Sequence, residues 1–499
     1  MREKSLLHMF QGTFPQLIAV LTGTIGAISD GMHYGWTAPV LPTLESNSSH
    51  IHLQERDHIW LETIYMIGGI TGLPITIFAV DTIGRKGSII ISAFMALVSW
   101  ILIAVADSTL FLYIARYIIG LSGDVAFVAA PMYVAEIADK KIRGFLAGII
   151  YLMMLLGILI IYAVAPYAPF YVPSIVGSVI VIIQLITFPF MPDSPYYLIS
   201  KGKDEKAKRH LQRLRGSDDV DKELKEITAA VNRQKSEKGR PQDLVLIASN
   251  RKAVIIMVIL NAAQHFSSIS VMLMNLHEIL MSADSIYMRS QNAGILFAAL
   301  MLLSATIADF VVDKFGRKYL LTISSLLTGL CLLVLAVYFT FKNCNYDISG
   351  VSWIPIVTVM VYAAVFKFGL GIIPIVMTAE LFPAKTKAMG MTIADCAYVF
   401  FAWISIEIYQ RLSTAYGHEV PFYIFAASCI LTAVFAQLYI PETKGKTLEE
   451  IQFILKGVPF PLRSNSLRSE SLSFHATLDN KDNKINSTPE KNSNEKSGV

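Results

Sequence analysis

Two stretches of sequence decide the fold, Asp81-Thr82-Ile83-Gly84-Arg85-Lys86 and Asp313-Lys314-Phe315-Gly316-Arg317-Lys318. Each one follows a long apolar segment and combines an acid, a glycine and two basic residues. The glycine predicts a tight turn between two helices, because glycine adopts positive φ and allows close approach more readily than other residues. Two copies of one turn motif predict that the chain contains an internal repeat.

Two further marks recur in the same order after each turn motif. In the first half they are Glu136 with Arg143 seven positions later and then Pro192-Asp193-Ser194; in the second half they are Glu380 with Lys387 seven positions later and then Pro441-Glu442-Thr443. Three marks in register indicate a duplicated unit. This pattern predicts two similar helical bundles that rock about a site at the membrane midplane.

The composition predicts that lipid surrounds these bundles. Of 499 residues, 54% are hydrophobic and 16% are charged, whereas an ordinary soluble domain has roughly 25% charged residues. The net charge of +4 is too small to indicate nucleic-acid binding. A bilayer core about 30 Å thick needs roughly 20 apolar residues per helix. That window predicts an all-α membrane protein with twelve spans, at about 14–36, 58–79, 88–106, 110–134, 144–165, 170–191, 252–280, 291–312, 319–341, 353–379, 388–411 and 420–440.

The predicted spans divide the chain into five parts. These are a cytoplasmic N-terminus (1–13), a six-helix bundle (14–191), a charged cytoplasmic linker with short helices (192–251), a second six-helix bundle (252–440) and a cytoplasmic tail (441–499). From about residue 458 the tail has few apolar residues and is predicted to be disordered. Arg463 and Arg468 precede Ser466 and Ser471 by three residues, a spacing that suits a kinase; the alternative is a solvated tail.

Basic residues predict the orientation. Loops after the second, fourth, eighth and tenth spans carry Arg85, Lys86, Lys140, Lys141, Arg143, Lys314, Arg317, Lys318, Lys385 and Lys387, whereas the opposite loops carry only Arg56, Arg289, Lys342 and Arg411. The positive-inside rule therefore places both termini in the cytoplasm. Asn47-Ser48-Ser49 is a glycosylation sequon in the first outer loop and agrees with this topology.

The repeated acids and bases also predict a cytoplasmic gate. An arginine or lysine beside each glycine can pair with the acids of the other two marks, and such pairs are expected to form between the bundles in one state and break in the other. The alternative is that the basic residues only fix the topology. The predicted gate residues are Asp81, Arg85, Glu136, Arg143, Asp313, Arg317, Glu380, Lys387 and Glu442.

Together these motifs resemble the sugar porter family of the major facilitator superfamily, over about residues 14–455. The residues that carry the resemblance, besides the two turn motifs, are Arg116, Pro131-x-Tyr133-x-x-Glu136, Arg143-Gly144, Pro192-Asp193-Ser194-Pro195, Glu380-Leu381-Phe382-Pro383 and Pro441-Glu442-Thr443-Lys444-Gly445. Gly35-Trp36-Thr37-Ala38-Pro39 is similar to the insect branch of facilitated trehalose transporters. The resemblance implies passive or proton-coupled movement of hexoses or disaccharides.

The resemblance also implies a substrate site, with departures from the family pattern. The usual Gln-Gln-Leu-Ser-Gly-Ile-Asn of the seventh span is replaced by residues 263–269, in which only Gln264 is kept. Polar family positions in the fifth and eleventh spans fall on Tyr151 and Tyr398, and Phe366 keeps its family type. Each missing hydrogen-bonding partner weakens sugar binding, so the pocket supports a sugar less strongly than the scaffold does.

The seventh span nevertheless has a polar face. Asn261, Gln264 or His265, Ser268 and Asn275 fall at helical spacing. This face is expected to line a wet path, or alternatively to bond neighbouring helices. His265 is interpreted as a substrate donor, a titrating switch or a packing residue.

Ionisable residues inside the spans are further candidates, because a charge in a bilayer usually faces a cavity or a partner. They are Asp30, Arg116, Asp124, Lys367, Asp395 and Glu407. Lys367 and Asp395 are predicted to form a buried pair. Asp30 suggests proton coupling, but the aspartate of the family's symporters aligns near Met32, which favours facilitated diffusion.

The sequence therefore predicts a facilitative plasma-membrane transporter of a small sugar, trehalose or glucose-like, that works by alternating access. The predicted substrate-binding residues are Gln264, Tyr151, Phe366, Tyr398, His265, Ser268 and Asn275. The alternatives are a proton-coupled sugar symporter, a transporter of a non-sugar solute such as an anion attracted by Lys367, and a non-transporting sensor that signals through its tail. Neither a nucleophile–base set nor a metal-ligand cluster is evident, so no enzyme activity, cofactor or metal is expected.

Overall fold

The computed structural model describes residues 2–46, 49, 51, 53–139, 142–236, 242–383, 386–446 and 448–458. Eleven helices in these ranges are long and apolar enough to cross a membrane. Ahead of them, residues 2–45 form the first span in three helical pieces. The structure therefore confirms the predicted all-α membrane fold with two sets of six spans.

The helices follow one another in the same way in both halves. The spans of the N-terminal half are Arg2–Thr24 with Gly26–Tyr34 and Thr37–Glu45, Glu55–Thr82, Arg85–Ala104, Thr109–Ile137, Arg143–Val164 and Val172–Thr187. The linker helices are Pro195–Ser200, Asp204–Arg215, Asp221–Ser236 and Asp243–Leu246. The spans of the C-terminal half are Ala248–His265 with Ile269–Ala283, Ser290–Phe315, Arg317–Asn343, Ile354–Phe368 with Ile373–Leu381, Lys387–Tyr416 and Glu419–Tyr439, and the helix Leu448–Lys456 follows them.

The first helix begins at Arg2, well before the predicted boundary at residue 14. A hydropathy window registers only the apolar part of a helix, so it does not detect a helix that continues beyond the bilayer. We call the membrane face at which the linker helices lie the linker side, and the opposite face the far side.

Three spans are broken near their middle, and these breaks lie close to the interface between the halves. The first span bends at Gly35-Trp36, the seventh is interrupted between His265 and Ile269, and the tenth is interrupted between Phe368 and Ile373. Ser268 has a positive φ of 75° at the second of these breaks, a conformation that is uncommon outside glycine. Irregular backbone at membrane depth is tolerated where it is buried in protein or lines a cavity.

Within the N-terminal half, glycines bring backbones into direct contact. A Cβ on Gly31 would lie 1.9 Å from the Met154 carbonyl oxygen, and one on Gly157 would lie 1.9 Å from the Ile28 carbonyl oxygen. The first and fifth spans therefore pack at a distance that only glycine permits at these two positions. Small residues at helix interfaces are the usual basis of tight packing in membranes.

The two halves meet through a few pairs of spans. The fifth span packs on the eighth, the second packs on the eleventh, and the piece Thr37–Glu45 packs on Ile269–Ala283. Hydrogen bonds between the halves lie on the far side, where the Tyr162 hydroxyl donates to the Leu273 carbonyl at 2.8 Å and the Tyr167 hydroxyl donates to Asn292. Others lie nearer the middle of the spans, where Lys367 bonds Tyr151 and Tyr34 bonds Ser270.

Candidate functional site

The break in the seventh span gathers polar atoms that are buried without a partner. Gln264 and His265 end the first helical piece, and Ser268 precedes the second. Within the described part of the chain, Gln264 Oε1, His265 Nε2 and Ser268 Oγ have no hydrogen-bonding partner. Buried polar groups are nearly always paired, and an unpaired one costs about 1–3 kcal/mol. This cluster is therefore a candidate for contact with a polar solute.

A chain of side chains links this break to the N-terminal half. His265 Nδ1 lies 2.8 Å from Ser270 Oγ, which lies 2.9 Å from the Tyr34 hydroxyl of the first span. The ring of His265 also meets the ring of Tyr398 edge-on, with centroids 4.3 Å apart. The candidate site therefore lies between the two halves.

A cation lies at the same interface. The Lys367 ammonium hydrogen-bonds to the Tyr151 hydroxyl of the opposite half, and it lies 4.5 Å from the centre of the Tyr151 ring and 5.4 Å from that of Phe366. Lys367 is only 3% exposed. The structure thus brings together Tyr151 and Phe366, two of the predicted substrate residues, around a lysine.

The predicted polar face of the seventh span is not continuous. The break rotates the second helical piece, and Asn275 Nδ2 donates to Glu62 Oε2 at 3.4 Å, toward the far side. Asn261 Nδ2 donates to the Ala394 carbonyl at 2.9 Å and so bonds a neighbouring helix. These two residues are placed away from the break at residues 264–268.

The predicted pair between Lys367 and Asp395 is wrong. Lys367 reaches the fifth span, whereas Asp395 lies near enough to Asp124 of the fourth span to interact with it electrostatically. Asp124 itself accepts a 2.7 Å hydrogen bond from Thr76 Oγ1. The reason is that Lys367 directs its side chain across the interface between the halves, where Tyr151 is its partner.

The remaining charges of the spans have separate positions. Asp30 lines a small cavity inside the N-terminal half, together with Thr24, Ser92 and Gln184. Glu407 lies toward the far side, where Glu407 Oε2 accepts a 2.8 Å hydrogen bond from Arg411. These groups therefore lie outside the cluster at the seventh span.

Arg116 is fully buried beside the bend of the first span. Its guanidinium donates to the carbonyl of His33 at 2.6 Å, to the carbonyl of Leu61 at 3.1 Å and to Thr37 Oγ1 at 3.4 Å. It also lies 4.5 Å from the centre of the Tyr65 ring. Arg116 thus joins the first, second and fourth spans.

At the linker side of the N-terminal half, three of the repeated marks meet. Arg85 contacts Glu136 through Nε at 3.0 Å and through Nη2 at 2.8 Å, and Ser194 Oγ donates to the second oxygen of Glu136. Lys86 Nζ donates to the carbonyls of Pro189 and Met191 at 2.7 and 2.8 Å. The turn motif therefore binds the end of the fourth span and the end of the sixth.

The C-terminal half repeats this arrangement with the same types of side chain. Arg317 Nη2 donates to Glu380 Oε1 at 2.9 Å, and Thr443 Oγ1 donates to Glu380 Oε2 at 2.5 Å. Arg85, Glu136 and Ser194 are thus matched by Arg317, Glu380 and Thr443. We call these two sets the Arg–Glu–hydroxyl clusters.

Glu442 adds a cap to the second cluster. Its carboxylate accepts hydrogen bonds from the backbone N–H groups of Arg317 at 3.0 Å and Lys318 at 3.1 Å, at the start of the ninth span. Partial burial acts to raise the pKa of Glu442, but these backbone donors and that of Lys444 outweigh it and hold the pKa below its usual range. A carboxylate at a helix N-terminus is also favoured by the helix dipole.

The Arg–Glu pairs lie within each half and not between the halves as expected. The topology explains this, because each turn motif, each span end and each Pro motif belongs to one bundle. Asp81 is exposed at the end of the second span. The side chains of Arg143, Asp313 and Lys387, the sequon at Asn47 and the tail serines at 466 and 471 lie outside the described part.

We expect alanine at either turn glycine to destabilise the protein. Gly84 and Gly316 both have φ of 89°, where a side chain is strained, and a Cβ would lie 2.5 Å from the Tyr197 ring or 2.8 Å from Glu442 Oε2. Gly84→Ala and Gly316→Ala should each cost about 1–3 kcal/mol, measured as a lower melting temperature in detergent. Gly350→Ala, at a position with open space and no positive φ, should leave it unchanged. Equal melting temperatures in all three variants would contradict the prediction.

Sequence reasoning missed Glu62. This residue lies inside the predicted second span, is 1% exposed and accepts a 2.8 Å hydrogen bond from Gln410 Nε2 of the eleventh span. An acid within an apolar span was the available signal, since such residues usually have a partner.

Comparisons with known proteins agree with this architecture. A family model described as "Sugar (and other) transporter" matches residues 16–455. The facilitated trehalose transporter Tret1 of Culex quinquefasciatus is 28% identical over 88% of this chain and 86% of its own length. The human solute carrier family 2, facilitated glucose transporter member 6, is 28% identical over 87% of this chain and 90% of its own length.

Solved structures show the same fold. The major facilitator superfamily proton:xylose symporter XylE bound to 6-bromo-6-deoxy-D-glucose has a TM-score of 0.70 at 21% identity, covering 89% of this chain and 100% of that chain. An inward-open structure of the xylose transporter XylE from E. coli has a TM-score of 0.67 at 22% identity, covering 88% and 98%. The two six-helix bundles therefore have the major facilitator fold. On the match of the family model to residues 16–455, the chain belongs to the sugar (and other) transporter family.

Proposed function

We propose that this protein is a facilitative transporter of a small neutral sugar, trehalose-like or glucose-like, that works by alternating access. The observation that carries the proposal is the group of unpartnered polar atoms on Gln264, His265 and Ser268 at the interface between the halves. Sugar hydroxyls both donate and accept hydrogen bonds, so a bound sugar satisfies these groups. The names of the trehalose and glucose transporters similar to this chain support the same substrate class.

The two halves are built to move as units. Each Arg–Glu–hydroxyl cluster ties the linker-side ends of three spans within one half. Contacts between the halves are made on the far side and, through Lys367 and Tyr151, nearer the middle of the spans. Rocking of one half against the other therefore breaks the contacts between the halves and keeps the clusters intact.

The linker side is proposed to face the cytoplasm, in the plasma membrane. The basic residues of the turn motifs lie on this side, as the positive-inside rule requires. Asp30 lines a cavity formed by residues of the N-terminal half, and this place apart from the cluster at residues 264–268 supports uncoupled transport over proton symport. If transport is uncoupled, a proton gradient should leave the rate of uptake unchanged.

Lys367 favours a second candidate, a transporter of an acidic solute. Its buried ammonium lies at the interface beside Tyr151 and Phe366. A carboxylate on the solute forms a stronger hydrogen bond with an ammonium than a sugar hydroxyl does. Comparison of neutral and acidic sugars therefore separates the two candidates.

Uptake into vesicles reconstituted with the purified protein tests the first proposal. We expect saturable uptake of labelled trehalose or glucose, and Gln264→Ala should lower it about three- to tenfold by removing a hydrogen-bonding group from the site. Gln437→Ala is the matched control, because Gln437 bonds Thr322 within the C-terminal half. Ligand binding without flux would instead support a sensor, and equal uptake by the two variants would contradict the site assignment.

A further inference from the structure

A polar contact between the halves on the far side is centred on a buried acidic side chain of the second span. Glu62 Oε2 accepts hydrogen bonds from Gln410 Nε2 at 2.8 Å and from Asn275 Nδ2 at 3.4 Å. Both donors belong to the C-terminal half, and all three side chains are buried. One carboxylate of the N-terminal half therefore holds two spans of the other half.

The adjacent residue makes the reciprocal contact. Thr63 Oγ1 donates to Glu407 Oε1 at 3.0 Å, and Arg411 Nε donates to Glu407 Oε2 at 2.8 Å. A carboxylate of the eleventh span is thus bound by the second span, one helical turn from Gln410. The two carboxylates face each other's spans from opposite halves.

These contacts lie on one side of the membrane, toward the far-side ends of their spans. Glu62 and Thr63 lie in the first third of Glu55–Thr82, and Glu407 and Gln410 lie in the last third of Lys387–Tyr416, both toward the far side. Arg116 and Glu278 act electrostatically on Glu62, and Arg116 belongs to the same half. Opening of the far side therefore keeps Arg116 beside Glu62 but removes the donors from Gln410 and Asn275.

From these contacts we propose that Glu62 and Glu407 form a far-side clamp, which holds the second and eleventh spans together and must release before the far side opens. The clamp comprises Glu62, Thr63, Asn275, Glu407 and Gln410. It rests on the proposed alternating access, and it assigns closure of the far side to carboxylate–amide and carboxylate–hydroxyl bonds. Each buried hydrogen bond between the halves favours the closed far side, so a few such bonds suffice to bias a two-state equilibrium.

Exchange of the acid and the amide between residues 62 and 410 tests the proposal, and this test needs no substrate. The reporter is Ser270→Cys, because Ser270 is fully buried and lies nearer the membrane centre than Asn275. The exposed cysteines Cys344 and Cys396 are replaced by serine in the reporter background. Sealed vesicles are treated from one face with a membrane-impermeant thiol reagent. A parallel protein that retains Cys344, in the loop after the ninth span, identifies the far side.

Gln410→Glu removes the amide that donates to Glu62 and sets two buried acidic groups in contact, so they must either repel each other or take up a proton. We expect labelling of the reporter from the far side to become at least about tenfold faster. The double variant Glu62→Gln with Gln410→Glu restores a carboxylate–amide pair in reverse and should return the rate to within about twofold of the parent. Gln291→Glu, which adds the same charge at the far-side end of the eighth span, should leave the rate unchanged.

A labelling rate in Gln410→Glu equal to that of the parent would overturn the clamp, as would a double variant labelled as fast as Gln410→Glu. Thr63→Val gives a second measurement with little risk to folding, since it keeps the shape of the side chain and removes only the bond to Glu407. It should raise the rate about threefold, and no change would also overturn the proposal. A missing sugar flux with the expected labelling would contradict the proposed substrate and leave the clamp supported.

Discussion

Replacement of Arg116 by lysine is expected to lower the free energy of unfolding by about 3–5 kcal/mol, because two hydrogen bonds from a charged donor are lost. The guanidinium reaches the His33 carbonyl and the Leu61 carbonyl at once, on two different spans. A lysine ammonium is a compact charge on a flexible stem and cannot reproduce this planar fork. The bend of the first span then leaves a carbonyl without its partner inside the membrane.

The melting temperature of the purified protein in detergent measures this effect. Arg56→Lys is the matched control, since Arg56 is 74% exposed at the start of the second span and an exposed ion pair contributes roughly 0–1 kcal/mol. The control should melt with the parent, and Arg116→Lys should melt well below both. If the two variants melt together, Arg116 does not support the bend of the first span.

The two Arg–Glu–hydroxyl clusters show what the sequence was able to predict. Arg85 and Arg317 were expected to pair with the acids of the repeated marks, and Glu136 and Glu380 are their partners. These residues lie at helix ends, where the order of spans decides which ends meet. The order of spans also places both members of each pair in the same half. The predicted pairing between the halves is wrong because it ignores this order.

The centre of the membrane was harder to predict. A charged residue in the middle of a span gives no sign of the direction in which it points, and a break in a helix changes that direction. The break after His265 therefore separates Asn275 from Gln264, although both fit one helical repeat. Glu62 and Gln410 are far apart in the sequence, and only the packing of the second span on the eleventh brings them together.

Removal of the Lys367 charge is expected to have the largest effect on transport. Lys367→Met keeps the length of the side chain and removes the ammonium that joins the two halves at Tyr151. A hydrogen bond to a charged group contributes about 1.5–3 kcal/mol, so uptake of a neutral sugar should fall roughly 10- to 100-fold. Tyr151→Phe removes only the hydroxyl and should produce a smaller loss. Initial rates of uptake into reconstituted vesicles measure both effects.

Lys367→Met separates the two proposed functions, because each function predicts that the uptake of a different solute is lost. Lys342→Met is the matched control, because Lys342 bonds the Ser282 carbonyl at the far side, at the end of the ninth span, and not the candidate site. Neutral sugar uptake that falls in Lys367→Met but not in Lys342→Met supports a sugar site in which the ammonium donates to a hydroxyl. Wild-type uptake of an acidic sugar, lost in Lys367→Met while neutral uptake stays unchanged, would establish the acidic solute instead. The charge at residue 367 thus decides between the candidates, because both solutes meet the same cluster on the seventh span and differ only in what they offer the ammonium.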